Sequence, residues 1–125
     1  MQAKEAPSEI IIVWEPEKPI RTGDTTIRGV VIRLGGSGEN LNAKVGLIDS
    51  ELAAEDRAKL NQCKDLLKQM TLRIARFNAA DSQDLRKKRH TSIVDAQKAF
   101  REAGCDEFFG TTMGQAIVDE IAAKF

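Results

Sequence analysis

Leu60, Cys63, Leu67, Met70, Ile74 and Phe77 recur at spacings of 3, 4, 3, 4 and 3 residues. That rhythm lays one apolar stripe along a single helix face and sustains it for almost three heptads. Neither Gly nor Pro falls between residues 50 and 78, and helix formers fill most of the remaining positions. The stretch predicts one helix, roughly 43 Å long at the α-helical rise. Asp49 or Ser50 serves as its N-cap. Glu51, Glu55 and Asp56 crowd its first turns, where the macrodipole favours anions.

Asn78-Ala79-Ala80-Asp81 breaks the pattern. Asp81 or Ser82, with Asp84, then caps a second helix that runs to about Ala103 and carries Leu85, Ile93, Ala96, Phe100 and Ala103 on one side. So short a connection makes the two helices antiparallel neighbours. Ser92-Ile93-Val94-Asp95 also fits a capping box, which allows a restart near residue 91. Gly104 is a natural helix stop. Residues 105–110 read as a turn containing Phe108 and Phe109. Thr112-Met113-Gly114-Gln115 opens a final helix with Ile117, Ile121 and Phe125 spaced by four.

The N-terminal third has a different character. Residues 1–8 are polar and read as a frayed start. Ile10–Trp14 is a β-branched apolar run stopped by Pro16. Its apolar residues on both parities predict a strand covered on both faces. Residues 16–24, with Pro16, Pro19 and Gly23-Asp24, form a loop too long for a tight turn. Thr25–Leu34 is a second strand, in which Gly29 marks a bulge or bend. Gly35-Gly36-Ser37-Gly38-Glu39-Asn40 is a flexible connector, and Ala43–Ile48 a short third strand. The expected architecture is α+β in one domain of 125 residues. A small N-terminal antiparallel sheet (residues 9–48) precedes a helical hairpin (49–103) and a short C-terminal helix (111–125).

Composition narrows the function classes. Lys+Arg and Asp+Glu both number 19, so net charge favours no partner class. The longest apolar stretch is far too short to cross a bilayer, and the first residues carry no apolar leader core. A cytoplasmic location is expected. Cys63 and Cys105 then read as buried free thiols in a reducing milieu, with a lone disulfide between them as the alternative.

Catalytic candidates are sparse. The single histidine, His90, stands about 22 Å from Cys105 along a straight helix, so only a break near residue 91 leaves that pair open. One His and two scattered Cys offer no zinc spacing. The glycine-rich connector lacks the Lys-Ser/Thr that follows a phosphate loop, and Glu39 puts a negative charge where phosphate would sit. No catalytic residue, metal or cofactor is expected.

Two features point to binding. Between Arg86 and Ser92 the second helix is poor in large apolar residues, which leaves Met70–Phe77 short of partners within the chain. Leu67, Met70, Ile74 and Phe77 are therefore expected at an interface with another protein or a second copy, unless the C-terminal helix fills the gap. The run Arg86-Lys87-Lys88-Arg89 lies at the same end of the hairpin as Arg73 and Arg76. Six cations thus gather near one tip, offset by Asp81 and Asp84 alone. The expected function is a non-enzymatic interaction protein that self-associates or docks through its hairpin. The alternative is a binder of nucleic acid or another phosphorylated ligand at the basic tip.

Overall fold

The computed structural model describes residues 9–124. In chain order the elements are β1 (Ile10–Trp14), β2 (Ile20–Thr22), β3 (Thr25–Ile27), β4 (Val30–Gly35), β5 (Asn42–Leu47), α1 (Arg57–Asn78), α2 (Gln83–Glu102), α3 (Asp106–Phe109) and α4 (Met113–Lys124). The class is α+β, with a small antiparallel sheet followed by a long helical hairpin and a short C-terminal helix. Strands β1, β4 and β5 form the sheet in the order β1-β4-β5, and β2 pairs with β3 in a separate ribbon. Residues 1–8 and Phe125, expected as a frayed start and as part of the last apolar stripe, lie outside the described residues.

The single strand expected over residues 25–34 is two strands broken at Arg28-Gly29. Thr25 and Ile27 are buried before the break, and Val30, Ile32 and Leu34 after it. The inward parity therefore shifts by one residue at the bend, as an extra residue in a strand requires. A Cβ on Gly29 would lie 3.0 Å from the Trp14 carbonyl oxygen, so the chain passes close to β1 there. The loop expected over 16–24 contains β2 and a tight turn, with Gly23 at φ +61.

Nor is β1 covered on both faces. Ile12 and Trp14 are buried, whereas Ile11 and Val13 are 46% and 49% exposed. The core lies on one side of the sheet, where α1 packs on β5 and α4 on β1.

Helix α1 begins at Arg57, later than its composition suggests, because residues 49–53 are held elsewhere. Asp49 adopts a left-handed conformation at φ +45, which no helix N-cap has. Glu51 pairs with Thr26 through two backbone hydrogen bonds of 2.8 and 2.9 Å. The fully buried Thr25 hydroxyl donates to Asp56 Oδ2 (2.5 Å) and accepts from the Ala53 amide (3.0 Å). Local helix propensity loses here to backbone pairing and to a buried hydroxyl that needs partners. The resulting α1 has 22 residues, about 33 Å of helix.

Ser82 caps α2, its hydroxyl accepting from the Leu85 amide at 3.2 Å. The helix then runs unbroken to Glu102, without a restart near residue 91. It ends in a Schellman turn. Gly104, at φ +80, donates to the Arg101 carbonyl (2.9 Å), and Cys105 donates to the Phe100 carbonyl (3.2 Å). The expected 105–110 turn contains the single helical turn α3, which buries Phe108 and Phe109 completely.

The core centres on α1. Leu60, Cys63, Leu67, Met70 and Ile74 are at most 3% exposed, and Thr71, Leu72 and Ala75 are buried beside them. Between residues 70 and 75 the helix is covered around most of its circumference, by α2, the sheet and α4. Met113, Ile117 and Ile121 of α4 join the same cluster.

Cys63 and Cys105 form a disulfide, with Cα atoms 5.7 Å apart and both residues fully buried. They are therefore not the free thiols expected. The Schellman turn folds Cys105 back onto the early turns of α1, a contact across 42 residues of chain.

Candidate anion-binding surface at the hairpin tip

The two helices bring all six predicted cations to one end of the hairpin, but give them different roles. Arg73 is half-buried and donates from Nη1 to the Ser92 carbonyl at 2.8 Å, tying α1 to α2. Arg89 donates from Nη1 to the Arg76 carbonyl. That carbonyl lies in the last turn of α1, where no further helical amide reaches it, so Arg89 completes the helix end. The Arg86 guanidinium lies over the Phe77 ring, 5.7 Å from its centroid. Such a contact is worth about 0.5–1 kcal/mol when exposed. The His90 ring is tilted against the same phenyl at 6.1 Å.

Arg76, Lys87 and Lys88 are exposed and make no side-chain hydrogen bond among the described residues. Within the same limits, none of the six cations is ion-paired; the pairs present are Arg28–Glu51, Lys59–Glu107 and Lys124–Glu120. The nearby acids Asp81 and Asp84 are exposed and leave the cluster unneutralised.

The glycine connector stands beside this tip. Gly36, at φ +81, lets the chain turn back so tightly that a Cβ there would lie 2.2 Å from the Asn40 carbonyl oxygen. Asn40 and Leu41 then close a short 3-10 turn by donating to the Ser37 (2.9 Å) and Gly38 (3.3 Å) carbonyls. Leu41 drops into the core and fixes the connector to the helices. Between connector and tip lies a cavity of about 560 Å³, whose wall includes Ser37, Gly38, Glu39, Leu41, Arg76 and Arg89. Sequence spacing gave no sign of this meeting. It joins segments some forty residues apart, and the local pattern at 35–40 argues only against a phosphate loop.

The predicted interface residues are placed differently. Leu67, Met70 and Ile74 are buried in the chain's own core, which α2, α4 and the sheet build around α1. Only Phe77 stays half-buried, beneath Arg86 and His90. The exposed large apolar side chains among the described residues are Leu52, Val94 on α2, and Ile11 and Val13, which share the outer face of the sheet. There Val13 and the half-buried Val31 face each other across the β1–β4 register, with Ile11 beside them.

His90 is exposed and separated from Cys105 by an unbroken helix, and the Cys105 sulfur is committed to its bridge. Among the described residues no group of three or more His, Cys, Asp or Glu side chains converges on one point. No helix of the described residues is long and apolar enough to cross a membrane. Comparison with protein-family models, with curated proteins and with solved structures finds no match to this chain.

Proposed function

We propose that this chain is a non-enzymatic binding protein whose hairpin tip takes a polyanionic partner, nucleic acid or another phosphorylated ligand. The observation that carries this reading is the gathering of six cations at the tip, none of them ion-paired among the described residues. Like charges this close repel one another. Those in the early turns of α2 also face the positive end of its macrodipole. A phosphate backbone relieves both penalties and binds with an affinity that falls steeply with salt.

The test is fluorescence anisotropy with a labelled single strand at several salt concentrations, comparing wild type with Arg86→Ala/Lys87→Ala/Lys88→Ala. Every cation removed from a phosphate lowers the slope of log affinity against log salt by about 0.7 for single strands, so the triple variant should lose about 2. An unchanged slope and affinity would remove the tip from consideration.

A second reading, self-association, is favoured by the exposed Ile11 and Val13 on the outer sheet face. A second copy packed there would cover both. Sedimentation of wild type beside Ile11→Lys/Val13→Lys checks it; a wild-type monomer at tens of micromolar dismisses it.

The cytoplasmic location expected from the sequence is in tension with the Cys63–Cys105 bridge, since cytosolic thiols are kept reduced. Because both residues are fully buried, alkylation of freshly isolated protein in denaturant, without reductant, decides between them. Modified cysteines support the cytoplasm, and a protected pair supports an oxidising compartment.

A further inference from the structure

We propose that the open edge of β1 takes an extended segment of another protein as a further antiparallel strand, one with alternating apolar residues between basic ends. This goes beyond the tip, which is built from other elements.

The direction of the β1 backbone comes first. The Ile48 amide donates to the Gly29 carbonyl (2.9 Å), continuing the register of the β4–β5 pairs. The N–H and C=O of successive residues point to opposite edges of an antiparallel strand. Val31 and Arg33 therefore bond towards β5, and Val30, Ile32 and Leu34 towards β1. Opposite those three stand Trp14, Ile12 and Ile10. The amides and carbonyls of Ile11 and Val13 thus point away from the sheet, and among the described residues no backbone hydrogen bond reaches them.

The two edges of the sheet are also guarded unequally. Natural edges are blunted by charged side chains, above all Lys, or by Pro. β5 carries the exposed Lys44 and shares a groove with Lys64, Asp65 and Lys68 of α1. β1 reads Ile-Ile-Ile-Val-Trp, without charge, Pro or Gly, and its Ile11 and Val13 are 46% and 49% exposed. A strand added there gains two main-chain hydrogen bonds from each of these residues. It covers their side chains at the same time, as strand addition does.

Charge selects the occupant. Glu9 and Glu15 bracket β1, both exposed, and neither is ion-paired among the described residues. By the alternation of the strand they share the outer face with Ile11 and Val13. Arg33, the cation of β4 on that face, stands opposite Ile11 and not at either end. A second copy that sets Ile11 against Val13 also sets Glu9 against Glu15 at both ends, and like charges directly opposite are destabilising. Lys or Arg at those two places turns both repulsions into attractions. Residues 1–8 hold Met1 as their only large apolar side chain and do not fit the pattern. The segment that fits reads basic-x-apolar-x-apolar-x-basic.

The probe is a fluorescein-labelled peptide, Lys-Thr-Val-Thr-Val-Thr-Lys, titrated by anisotropy beside Glu-Thr-Val-Thr-Val-Thr-Glu and Lys-Thr-Ser-Thr-Ser-Thr-Lys. The Lys-ended valine peptide should bind about tenfold tighter than either control, and its margin over the Glu-ended one should shrink as salt rises. Amide hydrogen exchange should find Ile10, Ile12 and Trp14 protected in the protein alone, and Ile11 and Val13 only with that peptide bound. Glu9→Lys/Glu15→Lys, at two exposed positions, should reverse the preference in favour of the Glu-ended peptide. Arg86→Ala/Lys87→Ala/Lys88→Ala should change none of this, which separates the edge from the tip.

No binding, or binding without protection of Ile11 and Val13, overturns the proposal. Equal affinity for the two valine peptides overturns it as well. So does protection of those two amides in the protein alone: a dimer by sedimentation then assigns the edge to a second copy, and a monomer to a segment of the same chain.

Discussion

Breaking the Cys63–Cys105 bridge should be the most costly change available at the base of the hairpin. The two cysteines are separated by 42 residues, and a cross-link of that span removes entropy from the unfolded chain worth about 4 kcal/mol at 25 °C. Domains of this size are stable by about 5–15 kcal/mol in all. Both residues are fully buried, so alanine is the replacement that adds no buried hydroxyl. In urea, with a slope of about 2 kcal/mol per molar, the Cys63→Ala/Cys105→Ala midpoint should fall by about 2 M.

Each single variant should lose nearly as much as the double, because either one opens the loop. The two effects should therefore be strongly non-additive. Native protein should also keep its bridge in the presence of a thiol reductant and give it up only once urea opens the core. The measurements are urea titrations by circular dichroism, with alkylation to count thiols. Coincident midpoints for wild type and double variant, or single effects that simply add, would refute a cross-link that restrains the unfolded chain.

Three further outcomes follow from the geometry. Leu67→Ala and Ile74→Ala should each cost about 2–5 kcal/mol, as core truncations do; a small effect in chemical denaturation would return these residues to an interface role. Gly36→Ala should destabilise by about 1–3 kcal/mol, because its Cβ would meet the Asn40 carbonyl at 2.2 Å on a backbone at φ +81. Thermal melts would show it. Ser82→Ala should cost about 1 kcal/mol by removing the α2 cap, read as a lower melting temperature with the fold unchanged by circular dichroism.

Much of the fold is written in local pattern. The seam from Leu60 to Phe77 demanded a helix because its period of 3.5 residues can share a face in no other regular structure. Ser82 and Gly104 marked the bounds of α2 through the same capping chemistry that the structure displays. The β-branched run at residues 10–14 and the alternation from 30 to 34 are strands for equally local reasons. The gathering of cations at the tip followed from a short connection and antiparallel packing, so that patch was legible too.

What the tertiary structure decided are the questions of which distant groups meet. Helix propensity from residue 50 onward yielded to the pairing of Glu51 with Thr26 and to the needs of the buried Thr25 hydroxyl. Covering the stripe around Met70 and Ile74 fell to α2, α4 and the sheet together, since an apolar stripe states that it must be buried but not by what. Cys63 and Cys105 became a bridge because a left-handed turn at Gly104 brings the second onto the first. The glycine connector became the wall of a cleft because Leu41 anchors it in the core beside Arg76 and Arg89. Periodicity and propensity act over a few residues, and these four outcomes depend on groups about 25 to 50 residues apart in the chain, which only the packed core brings together.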